Sequence, residues 1–306
     1  MKTIPITTSL KKYLINYIKA LLSWAGYTVH RVQETREQPS IVAEPFDVVH
    51  FKGAFPSRCP AQPQVLFKCP VEHCVSSNGF SHGAGSWHAF STTLEEYRTG
   101  ECTTYEGSLL QRYYEVWQPS SSLEALIGLD RTPAALAEAP PYMFLLPWNR
   151  DTLEQRKSAS RKGIWEENAR WGDGNIVADE GCVFHGPVSA RKGRIEFERL
   201  VSVFESIQKN GYDLSMGRPV RVNILKRGKE LRYLIMEGQH RVAAMCAVGH
   251  ATIPAVVGQA WVTDIDFVEF WPQVRDGIWS KKDAENYFNH LFDFDARTWA
   301  QQRNLL

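Results

Sequence analysis

Two short segments in which apolar and polar residues alternate constrain the fold of this 306-residue chain more than any other feature. Residues 220–225 and 231–236 both have the period of two that is typical of β-strands. The basic, glycine-containing segment 226–229 lies between them and has the composition of a tight turn. Together these segments predict a β-hairpin.

Apolar residues at helical spacing lie on both sides of the hairpin. Apolar residues between 200 and 207 recur every three or four positions and predict a helix that ends near Gly211. A second helix is expected from Val242 to Gly249, and a short buried strand at residues 253–257. We therefore expect an α+β or α/β protein whose C-terminal half contains a helix, a hairpin, a second helix and a further strand.

The loop between the hairpin and the second helix, Glu237-Gly238-Gln239-His240-Arg241, predicts an anion site. The free N–H groups and the positive dipole end at a helix start favour a negative charge, and Gly238 allows close approach of the backbone. Arg241 can form a bidentate pair with phosphate oxygens, and His240 can add a second donor. The alternative is that both side chains only cap the turn and form salt bridges there.

Residues 183–262 resemble the ParB-like nuclease and sulfiredoxin superfamily. The resemblance covers the Ser206-Ile207 pair, Gly211, the hairpin, the 237–241 loop, Gly249 and the Ile253-Pro254-Ala255 segment. It implies a ParB/sulfiredoxin-like C-terminal domain behind an N-terminal mixed, aromatic-rich region. The order of the motifs is more specific for the fold than for the activity.

Three branches of that superfamily imply different activities. Sulfiredoxins have an attacking cysteine where this chain has Gln239, so sulfinic acid reduction is not expected, although His240 and Arg241 retain the phosphate-binding pair. ParB proteins bind CTP and continue into a DNA-reading helix-turn-helix. Here residues 263–306 have no obvious helix-turn-helix and carry eight Asp/Glu against five Lys/Arg, so DNA binding is not expected. The loop is also similar to that of free-serine kinases, through Glu237, Gly238 and Arg241.

The resemblance therefore favours a nucleotide-binding phosphotransferase that moves phosphate from ATP, with Mg²⁺, to a hydroxyl of a small-molecule or glycan acceptor. Glu237 is the first candidate to activate that hydroxyl, with Glu196 and Glu198 in reserve. The candidate nucleotide-binding residues are Gly238, Gln239, His240, Arg241, Ser189 and Lys192. Twelve Lys/Arg against six Asp/Glu in residues 183–262 suit an anionic ligand. The alternative is a non-catalytic or CTP-gated regulatory or DNA-binding module.

A fainter resemblance places the protein in surface polysaccharide synthesis. Residues 186–212 and 105–119 are similar to segments of bacterial proteins associated with surface polysaccharide or lipopolysaccharide synthesis. We expect a cytoplasmic protein with free thiols and no metal site, since none of its six cysteines has Cys-x-x-Cys spacing. The weak metal pattern of Cys69 and Cys74 around His73 does not change that expectation.

The organisation expected from composition has four parts: a basic amphipathic helix in 1–30, an α/β region of unknown type in 31–174, the ParB/sulfiredoxin-like domain in 175–262 and a helical tail in 263–306. The aromatic residues between 87 and 117 indicate a core more than a sugar-binding surface. The helix over 9–25 has an apolar stripe opposite Lys11, Lys12 and Lys19. It either contacts an anionic membrane at its inner face or packs on the body of the protein.

The membrane interpretation predicts salt-sensitive attachment, because each lysine near an anionic surface contributes on the order of 1 kcal/mol. The full chain should sediment with anionic vesicles at low salt, whereas a chain that begins at residue 31 should not. Sedimentation of neither chain, or an unfolded truncated chain, would instead place the helix in the protein core.

Overall fold

The structure, a computed structural model, describes residues 48–49, 66–83, 85–129, 132–171, 174–178, 182–214 and 218–306, without the side chains of 48–49 and 258–261. It is an α+β protein with a mixed sheet, as the sequence predicted. The amphipathic helix predicted for residues 9–25 lies outside the described residues. No helix among the described residues is long and apolar enough to cross a membrane.

The strands of the described residues form one six-stranded sheet in the order β1-β2-β6-β4-β5-β3. Their bounds are Val48–Val49 (β1), Leu66–Pro70 (β2), Cys74–Val75 (β3), Val220–Arg227 (β4), Glu230–Glu237 (β5) and Thr252–Asp264 (β6). β4 pairs antiparallel with β5 and parallel with β6. The predicted hairpin is confirmed, and Gly228 has the positive φ of 58° that its tight turn requires. The sheet draws strands from both sides of the predicted boundary at residue 174.

The helices that the structure describes are Ala89–Thr99 (α1), Leu109–Val116 (α2), Ser122–Leu126 (α3), Ala134–Ala137 (α4), Leu153–Trp171 (α5), Ala190–Asn210 (α6), Gln239–Val248 (α7), Pro272–Arg275 (α8), Lys281–Asp293 (α9) and Ala296–Gln301 (α10). Two 3-10 helices, Val71–His73 and Ile265–Phe270, complete the set. The helices expected on both sides of the hairpin are confirmed as α6 and α7, although α7 begins at Gln239, three residues before the expected Val242, so His240 and Arg241 lie in its first turn. The last 44 residues contain the end of β6, the second of these 3-10 helices, α8, α9 and α10.

Alternation along the strands places apolar side chains on both faces of the sheet. On β5, Tyr233 and Ile235 belong to one hydrophobic core, and Leu234 between them belongs to a second. The first core is completed by side chains of α1, α2, α6, α7 and α10, and the second by residues 142–148 and α9. Helical elements therefore cover the sheet on both faces, and α6 and α7 lie on the same one.

Phe80 is the centre of an aromatic cluster that joins the segment before α1 to α10. Its ring lies 5.3 Å from Trp87, 5.5 Å from Trp117 and 4.9 Å from Trp299, between ring centroids. These distances allow edge-to-face contacts, which stabilise aromatic cores beyond area burial alone. The expectation that the aromatic residues between 87 and 117 form a core is confirmed for Trp87, Phe90, Tyr105, Tyr113, Tyr114 and Trp117.

We expect Phe80→Ala to lower the free energy of unfolding by about 3–5 kcal/mol, because it leaves a cavity among rings that cannot collapse. Phe267→Ala is the control, since Phe267 is 58% exposed. The control should change the free energy by less than about 0.5 kcal/mol. Urea unfolding followed by circular dichroism measures both, and equal effects would contradict the placement of Phe80.

Candidate functional site

The start of α6 carries two charged residues on its buried face. Ser189 caps the helix by accepting a hydrogen bond from the N–H of Lys192, at 3.2 Å. Lys192 and Glu196 follow one turn apart, and each is only 1% exposed. The ammonium group of Lys192 is paired with Glu196, and it donates to Oδ1 of Asn168 on α5 at 2.7 Å. The side chain of Lys192, a candidate for nucleotide binding, is thus engaged within the protein.

The Glu196 carboxylate joins α6 to α7. Besides Lys192, it lies 3.0 Å from Nε2 of His240 on α7 and 3.6 Å from the guanidinium of Arg199. Burial raises the pKa of Glu196, but the hydrogen bond from His240 and the charges of Lys192 and Arg199 outweigh it, and the pKa is lowered to about 2. Glu196 is therefore ionised at neutral pH and accepts a hydrogen bond from Nε2–H of His240.

Arg199 extends this network to the surface. Its guanidinium pairs with Glu167 and lies 4.7 Å above the ring of Trp171, both at the C-terminal end of α5. Asn168 on the same helix is 2% exposed and donates to the carbonyl of Ile176 at 3.0 Å. The last turns of α5 are therefore attached to α6 by polar contacts, and the network from Lys192 to Trp171 is continuous.

His240 belongs to this network, and two further buried histidines, His82 and His88, stack on each other near Phe90. The ring of His240 lies 4.9 Å from that of Phe90, and His88 stacks on His82 at 4.1 Å. Burial lowers the pKa of all three, that of His82 to about 3. The His240 imidazole is thus neutral, which agrees with its role as a donor to Glu196. Among the described residues no group of His, Cys, Asp and Glu has the arrangement of a metal site.

The 237–241 loop has the geometry of an uncapped helix start. Gly238 precedes α7 with φ 105° and supplies no capping side chain. The N–H groups of Arg241 and Val242 donate to the Gly238 carbonyl, whereas those of Gln239 and His240 have no partner among the described residues. The guanidinium of Arg241 donates to the Tyr212 hydroxyl at 3.1 Å and forms no ion pair within the described part of the chain.

The carboxylates predicted to be catalytic occupy three different environments. Glu237 is exposed at the end of β5 and pairs with Arg221 across the hairpin, at 2.6 Å. Glu196 is buried in the network described above, and Glu198 lies on the exposed side of α6. The structure therefore brings Lys192, Glu196 and His240 together, and it places Glu237 apart from them, paired with Arg221 beside the loop.

A small cavity lies behind the loop. Its volume is about 10 Å³, and Ser76, His88, Phe90 and Gln239 contribute to its lining. Oγ of Ser76 and Oε1 of Gln239 have no hydrogen-bond partner among the described residues. Gln239 is thus directed into the protein, away from the surface of the loop.

Sequence reasoning missed several members of the site, namely Asn168, Glu167, Arg199, Phe90, His82 and His88. One available signal was the position of Lys192 and Glu196, which share the helical face of Phe197 and Leu200. Charged residues on an apolar face are almost never fully buried unless they are paired. That pattern indicates a buried ion pair, although it does not identify the partners from other helices.

Comparison with known proteins finds no matching family model, no similar curated protein and no similar solved structure.

We expect Glu196→Gln to lower the free energy of unfolding by about 3–5 kcal/mol at neutral pH, because it leaves the Lys192 charge buried without its partner. The folded pKa is depressed to about 2 from 4.5, so wild-type stability from Glu196 is complete above pH 4.5 and lost as pH falls towards 2. The variant lacks this acid-dependent part.

Glu198→Gln is the matched control, because it makes the same change two residues away on the exposed side of α6. Urea unfolding across the acidic range compares the three proteins. A Glu196→Gln variant with wild-type stability and wild-type acid sensitivity would show that the carboxylate does not hold the network.

Proposed function

We propose that the protein binds the phosphate groups of a nucleotide at the start of α7 and transfers a phosphoryl group from ATP to a hydroxyl. One observation carries the proposal. In the 237–241 loop the N–H groups of Gln239 and His240 have no partner, and the guanidinium of Arg241 forms no ion pair, among the described residues. The resemblance of residues 183–262 to ParB and sulfiredoxin domains supports the same site.

The backbone supplies the first part of this phosphate site. The N–H groups of Gln239 and His240 have no partner among the described residues, and they start a ten-residue helix whose dipole places partial positive charge there. Gly238 presents no side chain that would block an approaching phosphate oxygen. Because the His240 ring is bonded to Glu196, the proposal assigns phosphate binding to its N–H group and positioning to its imidazole.

Arg241 supplies the fixed positive charge. Its Nη2 lies so close to Gly238 that a Cβ at residue 238 would be 2.8 Å away, and its Nη1 donates to Tyr212. The guanidinium is thus held against the loop, with donors left for a bidentate contact to phosphate oxygens. A side chain at residue 238 would displace Arg241, which gives a second reason for glycine at this position.

Glu237 is the carboxylate best placed for catalysis in this proposal. It is exposed and precedes Gly238, so its oxygens suit either Mg²⁺, which prefers oxygen ligands, or the acceptor hydroxyl. Glu196 is unsuited to proton transfer, since its pKa of about 2 makes it a weak base. Ser189 caps α6, and Lys192 pairs with Glu196 in the buried network, so neither is assigned to the nucleotide. A sugar or glycan hydroxyl at the inner membrane face is the proposed acceptor, on the fainter resemblance.

Arg241→Ala should abolish the nucleotide-dependent thermal shift while leaving the nucleotide-free melting temperature within a few degrees of wild type. In wild type, a nucleotide at 100 times its Kd should stabilise the fold by roughly 2.7 kcal/mol. Lys229→Ala is the matched control, because it removes an exposed cation at the other end of β5. An equal shift in the wild-type protein and Arg241→Ala would refute the site.

Phosphoryl transfer is tested separately by release of ADP in the presence of sugar and glycan acceptors. Glu237→Gln should retain the thermal shift and lose ADP release, because phosphate binding does not need the carboxylate. Binding of ATP or CTP without turnover in the wild type would favour the alternative of a non-catalytic, nucleotide-gated module.

A further inference from the structure

A cysteine and a histidine face each other in a buried turn away from the α7 loop. The Sγ atom of Cys182 lies 3.2 Å from Nε2 of His185, and the two residues are 2% and 3% exposed. The turn is fixed against α2, because the hydroxyls of Tyr113 and Tyr114 donate to the carbonyls of Phe184 and Val183. The relative position of the sulfur and the ring is therefore well defined.

The surroundings of the His185 ring require a proton on each nitrogen. Nδ1 lies 2.7 Å from the carbonyl oxygen of Gly186, and Nε2 lies 3.0 Å from that of Pro141. Carbonyl oxygens only accept hydrogen bonds, so a neutral imidazole would satisfy one of them and present a lone pair to the other. An imidazolium cation donates to both.

A buried cation needs a negative partner, and the sulfur of Cys182 is the candidate on this turn. The neighbouring Tyr113 and Tyr114 are not candidates, since burial raises the pKa of both hydroxyls and both donate to carbonyls. Burial raises the pKa of Cys182, but His185 and hydrogen bonds from the N–H groups of Phe184 and His185 outweigh it, and the pKa is lowered. The thiolate correspondingly raises the pKa of His185, to about 8 against the effect of burial.

We propose that Cys182 and His185 form a thiolate–imidazolium pair and that Cys182 is a site of oxidation by small hydroperoxides. The thiolate sulfur attacks one peroxide oxygen, forming an S–O bond while the O–O bond breaks. The leaving hydroxide takes the proton from Nε2 of His185 and departs as water. The sulfur is oxidised to a sulfenic acid, the peroxide is reduced, and His185 becomes neutral.

Burial of Cys182 sets the class of reactant. At 2% exposure the sulfur excludes bulky electrophiles, whereas hydrogen peroxide is little larger than water. The other described buried thiols offer an internal comparison. The sulfurs of Cys69 and Cys74 lie 3.6 Å apart without a cation beside either, and burial raises the pKa of Cys69. Cys69 should remain a thiol, which reacts far more slowly than a thiolate.

The test exposes the folded protein to hydrogen peroxide at mildly acidic pH, removes the peroxide with catalase, and unfolds the chain in the presence of dimedone. Peptide mass spectrometry then locates the sulfenic acid. We expect oxidation of Cys182 on the order of tenfold or more above that of Cys69 and Cys74, with their sulfenic acids and any disulfide between them both counted, because thiol reactivity follows the thiolate fraction. His185→Gln should remove this excess. Equal labelling of the three cysteines would overturn the proposal.

A second measurement does not depend on reagent access or on the folding of the His185 variant. The ultraviolet absorbance of the thiolate is followed against pH in wild type and in Cys182→Ser, and the difference isolates Cys182. A difference that persists below neutral pH supports the ion pair. A difference that appears only above about pH 8.5, the value of an ordinary cysteine, refutes it.

Discussion

The buried carboxylate of Glu196 is the interaction on which the arrangement of the candidate site depends. Removing an ion from water costs several kcal/mol, so a carboxylate that is 1% exposed persists only where its partners are fixed. Lys192 and Arg199 come from the same helix, whereas His240 comes from α7. The hydrogen bond from His240 to Glu196 thus holds the start of α7 against α6. The same contact fixes the position of the proposed phosphate site.

The parts of the fold that the sequence predicted are those determined by local pattern. The hairpin of β4 and β5 follows from alternation and a glycine turn, and α7 follows from helical spacing after Gly238. Helix α5 escaped prediction because its only buried residue is Asn168, so it has no apolar stripe. Its contacts with Lys192, Arg199 and the segment around Tyr142 come from other parts of the chain and leave no periodic signal.

The same division between local and distant contacts applies to the site. The free N–H groups, Gly238 and Arg241 lie within five consecutive residues, and their geometry was predictable from the loop itself. The partner of His240 was not, because Glu196 lies 44 residues earlier and its charge suggests an exposed position. A histidine in a short motif was interpreted as a ligand contact, while the folded chain uses its ring to fix the helix start.

His240 and His185 show that the partners of a buried histidine decide its chemistry. His240 faces a carboxylate already compensated by Lys192 and Arg199, so a further proton would add an uncompensated charge, and burial keeps the pKa of the ring low. His185 faces two carbonyls and a sulfur, so both nitrogens must donate, and the proton that this requires is available from the adjacent thiol. Burial alone would make both rings neutral. The difference between a positioning residue and an acid therefore arises from the acceptors that the fold places around each ring.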